Sequence, residues 1–376
     1  MMFSKNLILS FLVPVSLLLS IALSSEATAA TPAGFHYRKI FTPAGQLVHI
    51  LEVDLKEHRL ELVPASNHTR GLATLAHIAK QHGALAAING GFFKSGNQAG
   101  LPAGILKIQK NWYQIAYQAR GAMGWSDTAA IWLMDRIQTK TTLVINEVRY
   151  PIYALNQAGL SQKAILYTKA YGQTPDSRPL SYHIVVDNNR VVALGAGINP
   201  SIPANGFVYV RGPHMQQPTG VSLGDLARLE IEILPQTEDT AKDIWQKVDN
   251  IIGGAPLLVK NGKSLQNFEQ EHLPSEFINS RLARTAIGLL PNGNCLLVVS
   301  ERNSTEDSAG MTLPELATFM QQQGCLQALN LDGGSSSSLY LDDSFGIKEP
   351  ISEDSWPNNA GRPISNALVI LPKIAP

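Results

Sequence analysis

The chain reads as an α+β fold, a mixed β-sheet core with a few packed helices. Three observations lead there. Short apolar runs, alternating or continuous and bounded by glycine, proline and asparagine, recur over nearly the whole length. Only two segments carry apolar residues at helical three-and-four spacing. Apolar residues make up 44% of 376 positions, ample for a packed core. No linker, low-complexity tract or charge run divides the chain, so one compact domain over 31–376 is expected.

Composition excludes several classes. Lys and Arg number 30, as do Asp and Glu. No basic block suggests nucleic acid and no acidic block suggests a disordered tail. The 9 histidines are scattered without HExxH or paired CxxC spacing, so a structural zinc site is not expected, and no cofactor or metal ligand is assigned.

Residues 1–30 have the form of a signal peptide. Lys5 supplies the positive charge, an apolar run covers residues 7–23, and Ala27-Thr28-Ala29 has the small-x-small form of a cleavage site. An uncleaved anchor is the alternative. Pro14 and the small residues after it favour cleavage, and no later stretch is long and apolar enough to span a bilayer. A secreted or periplasmic protein is expected, with no stable membrane span after cleavage. In an oxidising compartment Cys295 and Cys325 would be free to form a bridge, the other reading being two buried thiols.

Residues 35–64 alternate as strands do, in a hairpin or meander. A helix follows on Leu72, Leu75, Ala76, Ile78 and Ala79, with Gly83 where it would stop. ALAAI is then a short buried strand, ending in Asn89-Gly90-Gly91-Phe92-Phe93. From 101 to 248 the runs AAIWLMD, TTLVINEV, AILYTK, SYHIVVD, RVVAL, GFVYVRG and ARLEIEIL are strands between turns. Asn156-Gln157, between two of them, either faces a ligand or satisfies its turn. IIGGAPLLVKNG reads as a Gly-Gly turn, a strand and an Asn261-Gly262 hairpin signal. SRLARTAIGLL and NCLLVVS form a further hairpin, which would bring Arg284 and Arg302 toward the same end of a sheet.

The second helix opens with Thr312 and Glu315 at capping-box spacing, carries Leu313, Leu316, Ala317 and Met320 on one face, and ends at Gly324. The strand CLQALNL leads to Asp332-Gly333-Gly334 and four serines. The chain thus reads twice as helix, glycine, strand, polar residue, Gly-Gly. The hypothesis is that the two Gly-Gly turns lie side by side and line one cleft, the plain alternative being two unrelated αβ units. A carboxylate beside a bare turn whose serines offer N–H and hydroxyl donors suits sugar-phosphate chemistry. The plain reading is a glycine turn with a serine cap. The polar loop 342–363 is a candidate lid or substrate wall, and SNALVILP closes the chain as a strand.

Taken together, INGGFF at 88–93, IGGAPLLVKNG at 252–262, ARTAIG at 283–288, the segment 301–317, ALNLDGGSSSSLYL at 328–341 and RPISNALVI at 362–370 resemble, in order, phosphodiester glycosidase (NAGPA-like) domains. The resemblance spans about residues 35–372. Two positions depart from the family pattern: Ser300-Glu301 stands where Asp-Gly is frequent, and Ser335 where a third glycine is common. The resemblance implies an exported hydrolase that cleaves between a sugar anomeric carbon and a phosphodiester oxygen, with N-acetylglucosamine-1-phosphodiesters as the model substrate. It implies Asp332, Arg284, Asn89 and Arg302 as catalytic residues. It implies Gly90, Gly91, Thr285, Gly333, Gly334, Ser335, Ser336 and Asn366 as substrate-binding residues.

A phosphodiester leaves as a stable anion, so a cation for the phosphate matters more than a strong acid. Arg284 and Arg302 are the expected cations, through forked hydrogen bonds. Asp332 is the expected nucleophile, base or electrostatic stabiliser. Asn89 and Asn366 are expected on sugar hydroxyls or an N-acetyl group, and the Gly-Gly amides on the phosphate. The competing readings are a non-catalytic glycan-binding or cell-envelope polysaccharide assembly protein, and a phosphoesterase that cuts phosphorus–oxygen bonds.

Overall fold

A computed structural model describes residues 31–373, apart from 127–130, 158–162, 198–199, 238–241, 304–307, 347–350 and 353–360. The expected leader and much of the expected lid lie outside the described residues.

The protein is built mainly of β-sheet. One sheet of seven strands runs in the order Phe35–Phe41, Leu47–Val53, Cys295–Ser300, Arg284–Leu289, Gln327–Asn330, Leu257–Lys260 and Lys263–Ser264. A second, of five, runs Ile351–Ser352, Ser338–Leu341, Ala86–Asn89, Asn366–Pro372 and His58–Pro64. A third is built around Ile131–Ile145, flanked by Ala227–Pro235 and Arg120–Ser126, and continues through Asn250–Gly253 to Leu106–Ile108 and Asn111–Gln114. A fourth gathers Ala164–Thr168, Gly206–Arg211, Tyr182–Asp187 and Arg190–Ala196. Leu51, Leu297 and Leu329 from the first sheet, Ile88 and Leu368 from the second, and Trp125 and Ile252 from the third share one buried cluster.

The expected mixed sheet is replaced by several sheets, and the described pairings are antiparallel except Ala154–Leu155 with Ala164–Thr168. The connections explain this. Arg284–Leu289 returns as Cys295–Ser300 after five residues, whereas a parallel neighbour needs a crossover of about a dozen. The two runs AAIWLMD and TTLVINEV merge into the single strand Ile131–Ile145, 15 residues long. The Asn261-Gly262 hairpin forms as expected, with Lys260 opposite Lys263 and both turn residues at positive φ.

Each of the two expected helices covers one face of a sheet. Leu75–Gln81 starts one turn later than the apolar spacing suggested. Thr74 accepts from the His77 N–H as N-cap, and Leu72 stays outside at 42% exposure. Leu75, Ile78 and Ala79 pack on Val63, Ala87 and Val369 of the second sheet. Leu313–Gln322 opens with the expected capping box and buries Leu313, Leu316, Ala317, Phe319 and Met320. Burying each large side chain stabilises by about 1.5–3 kcal/mol. Cys295 and Cys325 are both buried free thiols.

Candidate active site

Two strands from two different sheets end against each other. Ala86–Asn89 belongs to the second sheet and Gln327–Asn330 to the first. Asn89 is fully buried, and its Nδ2 donates to the main-chain oxygen of Asp332 at 2.7 Å. Its Oδ1 accepts from the Thr285 hydroxyl at 2.7 Å and from the Ser338 N–H at 3.1 Å. The Asp332 N–H donates to the Gly90 oxygen at 3.1 Å. The side-by-side placement of the two turns therefore holds, and the Asn89 amide ties them together.

A third Gly-Gly pair joins them. A Cβ on Gly91 would stand 2.6 Å from the Gly253 oxygen, and one on Gly90 would stand 2.0 Å from Asn366 Oδ1. Only glycine permits these approaches. The Gly91 N–H donates to Asn366 Oδ1 at 2.9 Å, and Asn366 Nδ2 donates to the Ser365 hydroxyl at 2.8 Å. Asn89, Thr285 and Asn366 thus hold the backbone in place, which corrects the expectation that the asparagines face sugar hydroxyls. A buried amide needs its partners inside the protein.

The Gly-Gly amides are also engaged internally. The Gly90 N–H donates to the Asn366 oxygen, Gly253 to Ile105, Gly254 to Gly121 and Gly334 to Ala283, while the Gly333 N–H donates to Asp332 Oδ1 at 3.0 Å. Of Ser335 to Ser338, the last three N–H groups donate to Gly333, Gly334 and Asn89. The Ser335 N–H has no acceptor among the described residues, and it lies in the middle of the short 3-10 turn Gly334–Ser336. It is the amide best placed for an anion.

Asp332 lies half-buried at the head of this turn. Burial pushes its carboxyl from an ordinary 3.8 up to about 6, while the Ser336 hydroxyl, the Arg362 charge and the Gly333 N–H restrain the rise. Arg362 is a cation that sequence reasoning did not single out. Its Nη1 donates to the Ser335 and Ser336 hydroxyls at 3.2 and 3.3 Å, and its guanidinium lies 4.9 Å from the Phe93 ring centroid. The signal was present in RPISNALVI, where an arginine stands at the junction between a polar loop and a buried strand.

Arg284 departs from expectation. It is fully buried, with Nε on the Met311 oxygen at 2.9 Å and Nη2 on those of Phe277 and Ser280 at 3.0 and 2.8 Å. No acid pairs with it among the described residues, and burial lowers its pKa to about 10. Its Nη1 is buried without a partner. The forked phosphate contact is therefore unavailable in this arrangement, although the charge lies behind Gly333, whose Cβ would meet Arg284 Cδ at 3.8 Å. Arg302 sits two residues beyond Ser300, which pairs with Arg284, so both arginines do reach one end of the sheet. Arg302 is exposed and pairs with Ala309 in a two-stranded ribbon. Beside it Glu301 meets His49 Nε2 at 2.5 Å, and His49 Nδ1 meets the Tyr37 hydroxyl at 2.7 Å.

Asn156 and Gln157 serve structure. Asn156 has φ 51° and bonds Tyr113 and Thr168, while Gln157 meets Lys94 and Pro102. Among the described residues no three His, Cys, Asp or Glu gather for a metal, and no helix is long and apolar enough to cross a membrane.

Next to the glycine turns opens a cleft of about 410 Å³. Its floor includes Gly253 and Gly254, and its walls include Phe92, Phe93, Phe277 and Arg120.

A model of the phosphodiester glycosidase family matches residues 180–371. The N-acetylglucosamine-1-phosphodiester alpha-N-acetylglucosaminidase of Mus musculus is 37% identical over 115 residues, 28% of this chain and 22% of that enzyme. The aligned stretch thus spans about a fifth of the mammalian enzyme's length. An uncharacterized protein of Rickettsia conorii is 24% identical over 260 residues, covering 68% of this chain and 87% of that one. The crystal structure of a hypothetical protein from Synechocystis superposes with a TM-score of 0.76 at 28% identity, covering 90% of this chain and 62% of that one. The family match takes in Arg284, Asp332, the serine turn, Arg362 and Asn366, and on it the chain belongs to the phosphodiester glycosidase family.

Proposed function

We propose that this protein is an exported hydrolase that breaks the bond between a sugar anomeric carbon and a phosphodiester oxygen. The observation that carries the reading is one carboxyl, Asp332, held near pKa 6 beside the Arg362 guanidinium on a donor-bearing turn. The family match and the mammalian relatives support the reaction class. Export rests on the leader pattern of residues 1–30.

In this reading Arg362, the Ser335 N–H and the Ser335 and Ser336 hydroxyls hold the phosphate. Their charge and dipoles stabilise the negative charge that grows on the departing oxygen. Asp332, ionised, faces the positive charge that grows at the anomeric carbon, as nucleophile, base or stabiliser. Water adds to that carbon and the carbon–oxygen bond breaks. A free sugar and a phosphate monoester of the second alcohol result. Arg284 contributes its charge from behind the turn. Asn89, Thr285 and Asn366 fix the geometry.

The test is sugar release from a panel of sugar 1-phosphodiesters, including UDP-N-acetylglucosamine, with and without chelator, and with Asp332→Asn as control. Release by the wild type alone supports the reading. In oxygen-18 water, label in the sugar supports carbon–oxygen cleavage, and label in the phosphate would mean phosphorus–oxygen cleavage instead. Silence across the panel, with glycan binding retained, would favour a binding protein.

A further inference from the structure

The cleft beside the turn has the wrong chemistry for a sugar. Phe92, Phe93, Ile105, Ile115, Leu273 and Phe277 make most of its wall. Polar side-chain atoms come from Gln118, Arg120 and the Tyr117 hydroxyl alone. A hexose buried there would leave several hydroxyls without partners, which disfavours it strongly. An apolar group would lose nothing by the same move.

The cleft adjoins the proposed phosphate site at one ring. Phe93 lines it, and the same ring lies under Arg362. Phe277 lines it too, with the Arg284 guanidinium 5.2 Å from its ring centroid. Phe92 meets Phe277 edge-on at 6.0 Å. Gly253, whose oxygen abuts Gly91, is part of the floor. Arg120 lines an otherwise apolar wall, and its charge also acts on the buried Glu271 carboxyl. At the mouth Tyr117 is 53% exposed and stacks on Tyr153 at 5.3 Å. A ligand with one anionic end and one apolar end matches this arrangement, with the anion toward Arg362.

We propose that the alcohol on the far side of the substrate's phosphate is apolar, an alkyl, prenyl or aryl group, and that this cleft seats it. The inference rests on the phosphodiester reading and narrows it. The bond cleaved would join a sugar to an apolar phosphate ester rather than to a second sugar.

The test is binding rather than turnover, with hexyl phosphate and glycerol 3-phosphate as probes of the released half. Calorimetry on the purified protein should show hexyl phosphate bound at least tenfold more tightly. Gly104 lines the cleft, and a Cβ there meets nothing nearer than 3.7 Å. Gly104→Leu should therefore fold and plug the cleft, erasing the preference while leaving glycerol 3-phosphate affinity unchanged. Ala103→Trp, from an exposed position on the same wall, is the second plug should Gly104→Leu fail to fold. Equal affinity for the two probes, or a preference that survives the plug, overturns the inference. Turnover of the sugar panel without a preference would overturn it and leave the reaction standing. A preference without turnover would uphold the apolar seat and remove the reaction.

Discussion

Asn89 and Asp332 are 243 positions apart, yet the Asn89 amide donates to the Asp332 main-chain oxygen at 2.7 Å. The acid is placed by a residue of another sheet. The same amide accepts from Thr285 and Ser338, so one buried side chain registers both sheets and the serine turn.

Replacing that amide should act on stability and catalysis together. Asn89→Ala leaves the Ser338 N–H, the Thr285 hydroxyl and the Asp332 oxygen without their partner. Each such loss costs about 1–3 kcal/mol, so a drop of at least about 3 kcal/mol in chemical denaturation is expected, with a large fall in kcat. Thr285→Val removes one of the three bonds and should cost about 1–2 kcal/mol. Equal stability of Asn89→Ala and wild type would contradict the role given to Asn89.

Asp332→Asn should abolish turnover without loss of the fold. Its circular dichroism should match wild type, and at pH 7.5 its melting temperature should be equal or higher, because the substitution removes a charge that burial disfavours. Retained activity in a folded variant would rule out the central role of Asp332.

The pH dependence follows from the same carboxyl. If the ionised form acts, kcat/KM rises with pH and levels off above an apparent pKa of about 6. Arg362 holds that pKa down, so Arg362→Gln should move the acid limb upward. The stability term has a definite sign. Asp332 binds its proton more tightly folded than unfolded. Its contribution is present below about pH 4 and lost as pH rises through about 6, on the order of 3 kcal/mol. The stability difference between wild type and Asp332→Asn should therefore move against wild type over that window, read from denaturation midpoints at pH 4, 5, 6 and 7.

The two arginines should separate. Arg362 is half-exposed and bonds only hydroxyls among the described residues, so Arg362→Ala should lower kcat/KM by about 100-fold, or about 2.7 kcal/mol, with little change in melting temperature. Arg284→Ala strips one buried and two part-buried carbonyls of their donor and opens a cavity. It should destabilise by about 3–5 kcal/mol. A stable Arg284→Ala with a purely catalytic defect would return Arg284 to the direct role first expected of it.

Cys295 and Cys325 should remain thiols. Burial pushes Cys325 up to about 12 and Cys295 higher still, so neither is a ready nucleophile. Under denaturing conditions a maleimide reagent should add twice per chain without prior reduction, and hardly at all to the native protein.

Much of the site was legible because its signals are local. Three Gly-Gly pairs, one acid followed by serines, and two helices each stopping at a glycine before a buried strand can be read without knowing any long-range contact. The hairpin geometry from Arg284 to Ser300 was also legible, since a short connection fixes antiparallel neighbours. The roles of the polar side chains were not. Asn89, Asn366 and Arg284 look like ligand-binding groups in a linear chain, because hydrogen-bonding capacity is all a sequence displays.

The sequence alone determined most of the strands, the second helix with its capping box, the glycine stops of both helices, and the glycine turns, because backbone conformation follows from nearby residues. Tertiary structure decided which polar groups face inward. Burial obliges Asn89, Thr285, Asn366 and Arg284 to find partners within the protein. Asp332, Arg362, Ser335 and Arg120 are the groups left facing the cleft and the turn, and that division depends on how two sheets meet.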